Sequence, residues 1–211
     1  IPTDTAVSTY ALIRDETAER KAATFLLGDN LERTTQGGGI YTYTSQQGAA
    51  AFRDTGSFDA AGSLSQENAE AFCRDFCKAF SYDTPIFTLD ETGSGTATAV
   101  RLWSGTPVFN AAVTFTIDQG RVLSASGALL PETGAETSSG QKPLSAFAAL
   151  TAFQQMRHAS SSVVSSITEV SLCYELQSTT AAPMALVPSW RIVTDTATFY
   201  VNCISGTVRR A

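Results

Sequence analysis

Apolar positions repeat with two different periods along the chain. Between Ala18 and Leu26 they recur every three to four residues, which predicts an amphipathic helix. Asp15 stands before this stretch as a candidate N-cap, and Gly28 follows it as a candidate stop. A short strand over residues 7–13 is expected before the helix. A hairpin over residues 40–44 and 50–52 is expected after it, because polar and apolar residues alternate there.

A second helix is predicted in the middle of the chain. A turn-rich stretch at residues 59–63 precedes it, and Ser63 with Gln66 fits a capping box, with Ser65 as a competing N-cap. Its apolar stripe is formed by Ala69, Phe72, Cys73, Phe76, Ala79 and Phe80. Strands are then predicted over residues 85–89, 96–103, 108–117 and 121–126.

A third helix is predicted after residues 133–142, a stretch of small and polar residues that is the best linker candidate in the chain. Pro143 suits the first turn of this helix. Its buried stripe would be Ala146, Ala149, Leu150, Phe153 and Met156. The next strand alternates through Val170, Leu172, Tyr174 and Leu176.

The last twenty residues or so show the clearest strand pattern. Phe199, Val201 and Cys203 alternate with three polar positions, Thr198, Tyr200 and Asn202, and turns are expected near residues 195 and 206. An earlier hairpin has the same skeleton: Pro-x-aromatic from 107, Thr-Phe-x-Ile-Asp at 114–118 and Gly-x-Val from 120. A recurring hairpin indicates a repeated supersecondary unit.

The predicted class is therefore α+β, with tandem units that each place a helix on one face of an antiparallel sheet. The units are predicted at residues 1–62, 63–132 and 143–211, with 133–142 as the linker.

Composition narrows the range of functions. The 211 residues are 43% hydrophobic and 16% charged, which allows a solid core under a surface rich in hydroxyl groups. The net charge of -6 argues against a nucleic-acid partner, which needs a field of Lys and Arg. No run of apolar residues is long enough for a transmembrane helix. Because the chain starts at Ile1 and not at Met, a mature or trimmed product is expected.

Candidates for catalysis and metal binding are few. The four cysteines, Cys73, Cys77, Cys173 and Cys203, lack paired CxxC spacing, so four free and mostly buried thiols are expected, not a zinc site. The single histidine, His158, has no GxSxG-type nucleophile setting. Asp90 and Glu91 are followed by turn residues, and the glycines at 37–39 and 93–95 lack the context of a phosphate loop. No catalytic residue, metal ligand or cofactor is predicted.

Two kinds of surface could bind a partner. The aromatic residues Tyr41, Tyr43, Trp103, Trp190 and Tyr200 either pack in sheet cores, which is favoured, or line a groove for a sugar or peptide. Sheet faces opposite the helices would carry hydroxyl groups and stay open for a partner. The predicted interaction face is Thr114, Thr116, Trp190, Thr198, Tyr200 and Asn202.

The order of helix and hairpin, with Pro-Ser-Trp-Arg-Ile-Val-Thr-Asp at 188–195 and Phe-Tyr-Val-Asn-Cys-Ile-Ser-Gly-Thr-Val at 199–208, resembles PepSY-type modules of Gram-positive envelope proteins. Taken over most of its length, the chain resembles the extracytoplasmic part of YycI, with YycH as its sister. The Ile-Tyr-Thr-Tyr segment at 40–43 and the Pro107/Gly120 hairpin support this resemblance. Four cysteines are unusual for an exported domain and depart from the pattern.

The resemblance implies a non-enzymatic ectodomain of a membrane-anchored accessory regulator. Its partners would be a YycH-like protein and a sensor histidine kinase of the two-component system that controls cell-wall metabolism. The implied location is extracytoplasmic, with an N-terminal transmembrane helix that this chain does not include. A PepSY-type peptidase inhibitor or propeptide-like module and an envelope glycan-binding domain are the alternatives, and pairing with a second copy stays open.

Overall fold

The structure, a computed structural model, describes residues 6–65, 68–160, 164–178 and 182–211. The chain forms two compact units: Ile1–Ala11 with Gly134–Ala211, which we call the terminal unit, and Leu12–Thr133, which we call the central unit. Helices and antiparallel strands occur in both, so the predicted α+β class is confirmed. Within the described ranges, no helix combines the length and the apolar content needed to cross a bilayer.

Strands outnumber helices along the chain. Up to the end of the central unit, the elements are β1 (Val7–Leu12), α1 (Glu16–Leu27), β2 (Glu32–Thr35), β3 (Tyr41–Ser45), β4 (Gly48–Phe52), β5 (Ser57–Ser65), α2 (Ala69–Ala79), β6 (Ile86–Leu89), β7 (Gly95–Trp103), β8 (Thr106–Asp118) and β9 (Arg121–Ala128). The terminal unit then continues with β10 (Ala135–Gln141), α3 (Ala146–Ser160), β11 (Ile167–Gln177), β12 (Met184–Thr194), β13 (Thr198–Asn202) and β14 (Val208–Arg210).

The central unit is an antiparallel sheet with two helices on one face. Its strands pair in the order β6-β7-β8-β9-β5-β4-β3-β2. Helix α1 begins as predicted, because the Asp15 carboxylate accepts hydrogen bonds from the backbone N–H groups of Thr17 and Ala18, both at 3.0 Å. It ends at Gly28, whose φ of 82° suits glycine.

The core of the central unit lies between these helices and the inner face of the sheet. Phe76 of α2 is fully buried, and its ring centroid lies 5.4 Å from that of Phe115 on β8 and 5.5 Å from that of Phe25 on α1. Alternate residues of the sheet, such as Ala97 and Val113, are also fully buried in this cluster. The helices of the predicted units 1–62 and 63–132 thus share one core, while the division into three folding units stays a prediction.

The start of α2 differs from the sequence-based expectation. The predicted turn at 59–63 is wrong: these residues belong to β5, which pairs with β4 and β9. The N-cap is Asn68, whose side chain accepts a hydrogen bond from the N–H of Ala71. Ser63 and Ser65 lie in β5, and Gln66 lies outside the described residues. Small residues such as Gly62 resemble a turn in sequence, but this glycine permits close strand contact, because a Cβ there would lie 2.0 Å from the Gln47 carbonyl oxygen.

The terminal unit repeats the plan of a helix against an antiparallel sheet. Its strands run in the order β10-β1-β12, and β12 also pairs with β11 and β13. Helix α3 packs on this sheet through Phe153, whose ring centroid lies 4.9 Å from that of Phe199. Residues 133–142, expected to form a linker, contain strand β10. Pro143 is not in the first turn of the helix, which begins at Ala146.

The repeated hairpin is confirmed as a structural feature. Ile117 pairs with Val122 between β8 and β9, and Val201 pairs with Val208 between β13 and β14. In each copy the Phe of the Thr-Phe pair points to a helix. The predicted strands over 85–89, 96–103, 108–117 and 121–126 are confirmed as β6 to β9.

Candidate protein-binding surface

The thiols of this protein are core groups. The four cysteines are free and buried, as predicted: Cys73, Cys77, Cys173 and Cys203. Burial raises the pKa of each thiol from 9.0 to about 12. Because the thiolate is the nucleophilic and metal-binding form, these groups are unreactive at neutral pH.

The other candidate groups also have structural roles or stand alone. His158 is exposed in the last turn of α3. Asp90 accepts hydrogen bonds from the N–H groups of Thr92 and Ser94, at 2.8 and 3.0 Å. Together with the Thr92 hydroxyl, which contributes most, these bonds lower the pKa of Asp90. Asp90 therefore shapes a hairpin turn. No group of three or more His, Cys, Asp or Glu residues in the described part of the chain could hold a metal ion.

The predicted interaction residues belong to both units. Thr114 and Thr116 lie on β8 in the central unit, the first half-buried and the second exposed. The other four, Trp190, Thr198, Tyr200 and Asn202, lie in the terminal unit.

The terminal-unit members of this set are largely engaged within their own unit. Trp190 is buried in the core beneath α3, and its ring N–H donates to the Leu144 carbonyl at 2.8 Å. Asn202 is half-buried, and its side chain accepts from the N–H groups of Ile204 and Ser205 in the turn after β13. Thr198 is half-buried, and Tyr200 is only 4% exposed.

The sheet face that carries Tyr200 also carries ion pairs. Glu175 of β11, which is 2% exposed, accepts hydrogen bonds from Arg209 of β14 and, at 2.8 Å, from the Gln177 side chain. Nearby, Arg191 bonds Glu169 at 3.0 Å. Burial raises the pKa of Tyr200, so its hydroxyl stays protonated. This face of the terminal unit has little room for a partner.

The aromatic residues do not form an open groove. Tyr43, Trp103, Trp190 and Tyr200 are each at most 6% exposed. Tyr41 lies near two guanidinium groups, at 3.8 Å from Arg14 and 4.1 Å from Arg33. Core packing, the favoured prediction, thus holds for four of the five rings, and those four have no surface for stacking on a sugar.

The central unit has an open face opposite its helices. Cross-strand pairs on this face join hydroxyl to hydroxyl: Thr96 to Thr116 and Thr98 to Thr114, and the hydroxyl oxygens of the second pair lie 3.4 Å apart. We call this surface the hydroxyl face; it comprises Thr88, Thr96, Thr98, Thr114, Thr116, Ser124 and Ser126. Most of these side chains are exposed. The alternation at 96–98 and 124–126 indicates this larger set in the sequence, beyond the predicted Thr114 and Thr116.

Strand β6 forms one edge of this face and pairs, among the described residues, with β7 alone. Ile86 points outward and is 74% exposed, and Leu89 is 37% exposed. Phe87 points to the helix side, where the Arg74 guanidinium lies 5.5 Å from its ring. A four-residue edge without a charged side chain is unusual, because exposed edges invite further pairing.

A pocket of about 380 Å³ lies where the chain enters β6, and it is lined by Arg74 and Lys78 of α2, the segment from Tyr82 to Pro85, and Leu102. A buried arginine holds that segment. Arg101 donates to the carbonyls of Ser81 and Leu102, both at 2.7 Å, and to Glu132 at 3.0 Å. Burial lowers the pKa of Arg101, and Glu132 opposes that shift. These bonds tie Ser81, the residue before the pocket segment, to strand β7.

Several solved structures are similar to this chain. One similar structure is an uncharacterized protein from Eubacterium rectale, with 12% sequence identity and a TM-score of 0.51, covering 98% of this chain and 81% of that one. The C-terminal domain of Bacillus megaterium YpeB is similar with 14% identity and a TM-score of 0.41, covering 95% of this chain and 98% of that one. YycH from Bacillus subtilis shows 13% identity and a TM-score of 0.43 over 97% of this chain, which spans 50% of the YycH chain.

No protein-family model and no curated protein sequence matches this chain. The similarity is thus one of fold. It does not single out YycI.

Proposed function

We propose that this chain acts by binding a protein, without catalysis, and that the hydroxyl face and the β6 edge of the central unit form the contact surface. The supporting observation is the contrast in exposure. The four thiols, which are the strongest candidate nucleophiles in the chain, are buried with raised pKa values. The exposed surface, in contrast, offers regular rows of hydroxyl groups and an apolar strand edge.

The physical basis for binding is the flat surface. Neighbouring strands lie about 4.8 Å apart, so the Thr and Ser side chains form closely spaced donors and acceptors. Short, branched threonine side chains lose little conformational entropy when a partner orders them. Such a surface suits a protein partner better than a small ligand, which needs a concave site.

The finer part of the proposal concerns the pathway. It takes the chain to be the extracytoplasmic part of a membrane-anchored accessory regulator that binds a YycH-like protein and a sensor histidine kinase controlling cell-wall metabolism. The support for this part is the sequence resemblance carried by the closing segment 188–208 and the hairpin starting at Pro107.

The test is affinity capture from detergent-solubilised membranes of the native host, with the 211-residue chain as bait. Enrichment of a sensor histidine kinase or a YycH-like protein is expected for the wild type. A Thr98→Arg/Thr116→Arg variant should lose this enrichment, because two large charges would stand on the hydroxyl face. A Thr35→Arg/Gln36→Arg variant adds the same charge at the far edge of the sheet and should bind normally.

Two outcomes would overturn the proposal. One is equal enrichment of the same proteins by the wild type and by the hydroxyl-face variant. The other is turnover of cell-wall fragments or peptides in proportion to the concentration of the purified chain.

A further inference from the structure

We propose that β6 accepts an extended segment of a partner protein as an additional antiparallel strand, with an acidic side chain of that segment beside Lys78 and Arg74. This inference rests on the proposed function, since it specifies the partner's form at one edge of the same surface. Its basis is the free backbone of β6, the side chains on its two faces and the charge of the adjoining pocket.

The backbone groups that would pair can be identified from the hydrogen bonds to β7. The N–H of Asp90 donates to the Ser94 carbonyl at 2.9 Å, and in antiparallel strands such bonded positions recur at every second residue. Thr88 and Ile86 therefore face β7. Phe87 and Leu89 consequently present their N–H and C=O groups to the free edge, which is the arrangement that an added strand requires.

The two faces of β6 define the side chains that an added strand would carry. On the hydroxyl face, Ile86 is 74% exposed and would gain an apolar neighbour. On the helix side, Phe87 and Leu89 would contact alternate apolar residues of the partner. Because side chains alternate along a strand, the partner should have apolar residues on the helix side and at the position opposite Ile86.

Charge at the pocket specifies one further residue of the partner. Arg74 bonds Glu70 at 3.1 Å, and Asp83 is the carboxylate that lines the pocket. Lys78 has no ion-pair partner in the described part of the chain, so it is the cation left for a carboxylate. In an antiparallel partner, the residue opposite Pro85 follows the residue opposite Ile86 and lies on the helix side. That residue should be Glu or Asp.

A small edge favours a peptide segment over a second folded copy. Four residues of strand bury far less than the roughly 1,200 Å² of a stable protein interface. A strand-and-pocket site of this size instead suits a short linear segment, for which main-chain bonds supply affinity and a side-chain pocket supplies specificity.

The test uses the purified chain and a fluorescein-labelled peptide, Val-Thr-Val-Ile-Glu-Thr, designed for this register. Fluorescence anisotropy should show saturable binding that weakens with salt. The lysine peptide, Val-Thr-Val-Ile-Lys-Thr, should bind about fivefold more weakly, since it replaces an attraction with a repulsion. The proline peptide, Val-Thr-Pro-Ile-Glu-Thr, should not bind, because proline lacks the N–H that bonds β6.

Two protein variants, each with a matched control, locate the site. Leu89→Pro removes an N–H from the free edge, where proline is compatible with a strand, and should abolish binding. Thr35→Pro makes the matched change at the free edge of β2 and should leave binding intact. Lys78→Gln should weaken binding of the glutamate peptide about threefold and should not weaken binding of the lysine peptide. The control, Arg20→Gln on α1, should change the affinity of neither peptide. Circular dichroism checks that each variant is folded.

The outcomes distinguish this inference from the proposed function. Peptide binding that survives Leu89→Pro, or equal affinity for the glutamate and lysine peptides, overturns the inference. Sedimentation that shows a dimer dependent on Leu89 overturns it as well, because a second copy would then occupy the edge. If Leu89→Pro loses the peptide but still captures the kinase, the hydroxyl face acts alone and the β6 assignment to that partner is wrong. If membrane capture fails while the peptide binds, the proposed pathway fails and the edge site stands.

Discussion

The hairpin β8–β9 of the central unit and the hairpin β13–β14 of the terminal unit carry the same pattern, Thr-Phe-x-(Ile or Val)-(Asp or Asn). Their inner faces are alike. Phe115 packs against Phe76 of α2 with ring centroids 5.4 Å apart, and Phe199 packs against Phe153 of α3 at 4.9 Å. In both copies, the aromatic ring anchors the sheet to a helix.

The outer faces of the two hairpins differ. Thr114 and Thr116 share an open surface with hydroxyl groups of neighbouring strands. Tyr200, in contrast, is buried on a face where Glu175 and Arg209 form an ion pair. A period of two sets which residues share a face, but it does not set what covers that face. The same motif can therefore be a binding surface in one unit and part of the interior in the other.

The largest effect on stability is expected from substitutions on the inner face of each hairpin. Phe115→Ala and Phe199→Ala should each lower the free energy of unfolding by about 3–5 kcal/mol, because each leaves a cavity against a helix. Urea titration can resolve the units, since Trp103 lies in the central unit and Trp190 in the terminal unit. A loss below about 1 kcal/mol for either variant would contradict the equivalence of the two hairpins.

The second-largest effect is expected from removing the buried carboxylate of Glu175, which lies on the outer face of the terminal unit. Glu175→Ala should cost about 2 kcal/mol, because it removes the acceptor for Arg209 and Gln177 in a buried setting. Glu169→Ala, which breaks a more exposed pair with Arg191, should cost less than about 1 kcal/mol and serves as the control. Equal urea midpoints for the two variants would show that the buried Glu175 pair stabilises the terminal unit no more than the exposed Glu169 pair does.

Between pH 9 and 10, below the ordinary pKa of tyrosine, rising pH should affect both units alike, because each contains two thiols whose pKa is raised from 9.0 to about 12. Above pH 9 the unfolded chain loses these protons first, so the folded state binds more protons and stability falls as pH rises towards 12. The fall should be about 1.4 kcal/mol per pH unit for each thiol that stays protonated. Urea midpoints at pH 8, 9, 10 and 11 measure it.

A matched variant checks the cause of this pH dependence. Cys73→Ala/Cys77→Ala should reduce the slope between pH 9 and 10 in the central unit and leave the slope of the terminal unit unchanged. An identical slope in the variant would assign the pH dependence to other groups.

The smallest effect is expected on the hydroxyl face. Thr116→Val should change the free energy of unfolding by less than about 0.5 kcal/mol, because the residue is exposed. The same substitution should nevertheless weaken capture of the partner in the membrane experiment. A large loss of stability would instead make Thr116 a structural residue.

Patterns local in sequence predicted the helices and the central meander well. Asp15 marks the start of α1 and Gly28 marks its end, because an N-cap carboxylate and a glycine with positive φ each act within one helical turn. The stripe through Phe72 and Phe76 predicted α2 for the same reason: three-to-four spacing fixes a helix face without reference to the rest of the fold.

Strands without large side chains could not be predicted in this way. Residues 59–63 and 135–141 are small and polar, so they resemble turns and linkers, yet they are parts of β5 and β10. Their conformation is set by backbone pairing with distant strands, such as Ala60 with Ala125 and Tyr10 with Glu136. Such pairing joins residues far apart in sequence, and the strand propensity of a single residue predicts little of it.

The amino-acid order alone specified the hairpin repeat, the helix stripes and the burial of the thiols, because each depends on short-range periodicity and on the hydrophobicity of single residues. Which face of each hairpin is open was decided only by tertiary structure. Tyr200 and Thr116 occupy equivalent positions in the pattern, but Tyr200 is buried on a face that carries the ion pair of Glu175 with Arg209, while exposed hydroxyl groups extend across the face of Thr116. The surface proposed for binding depends on that difference, which arises from strands and charges far apart in sequence.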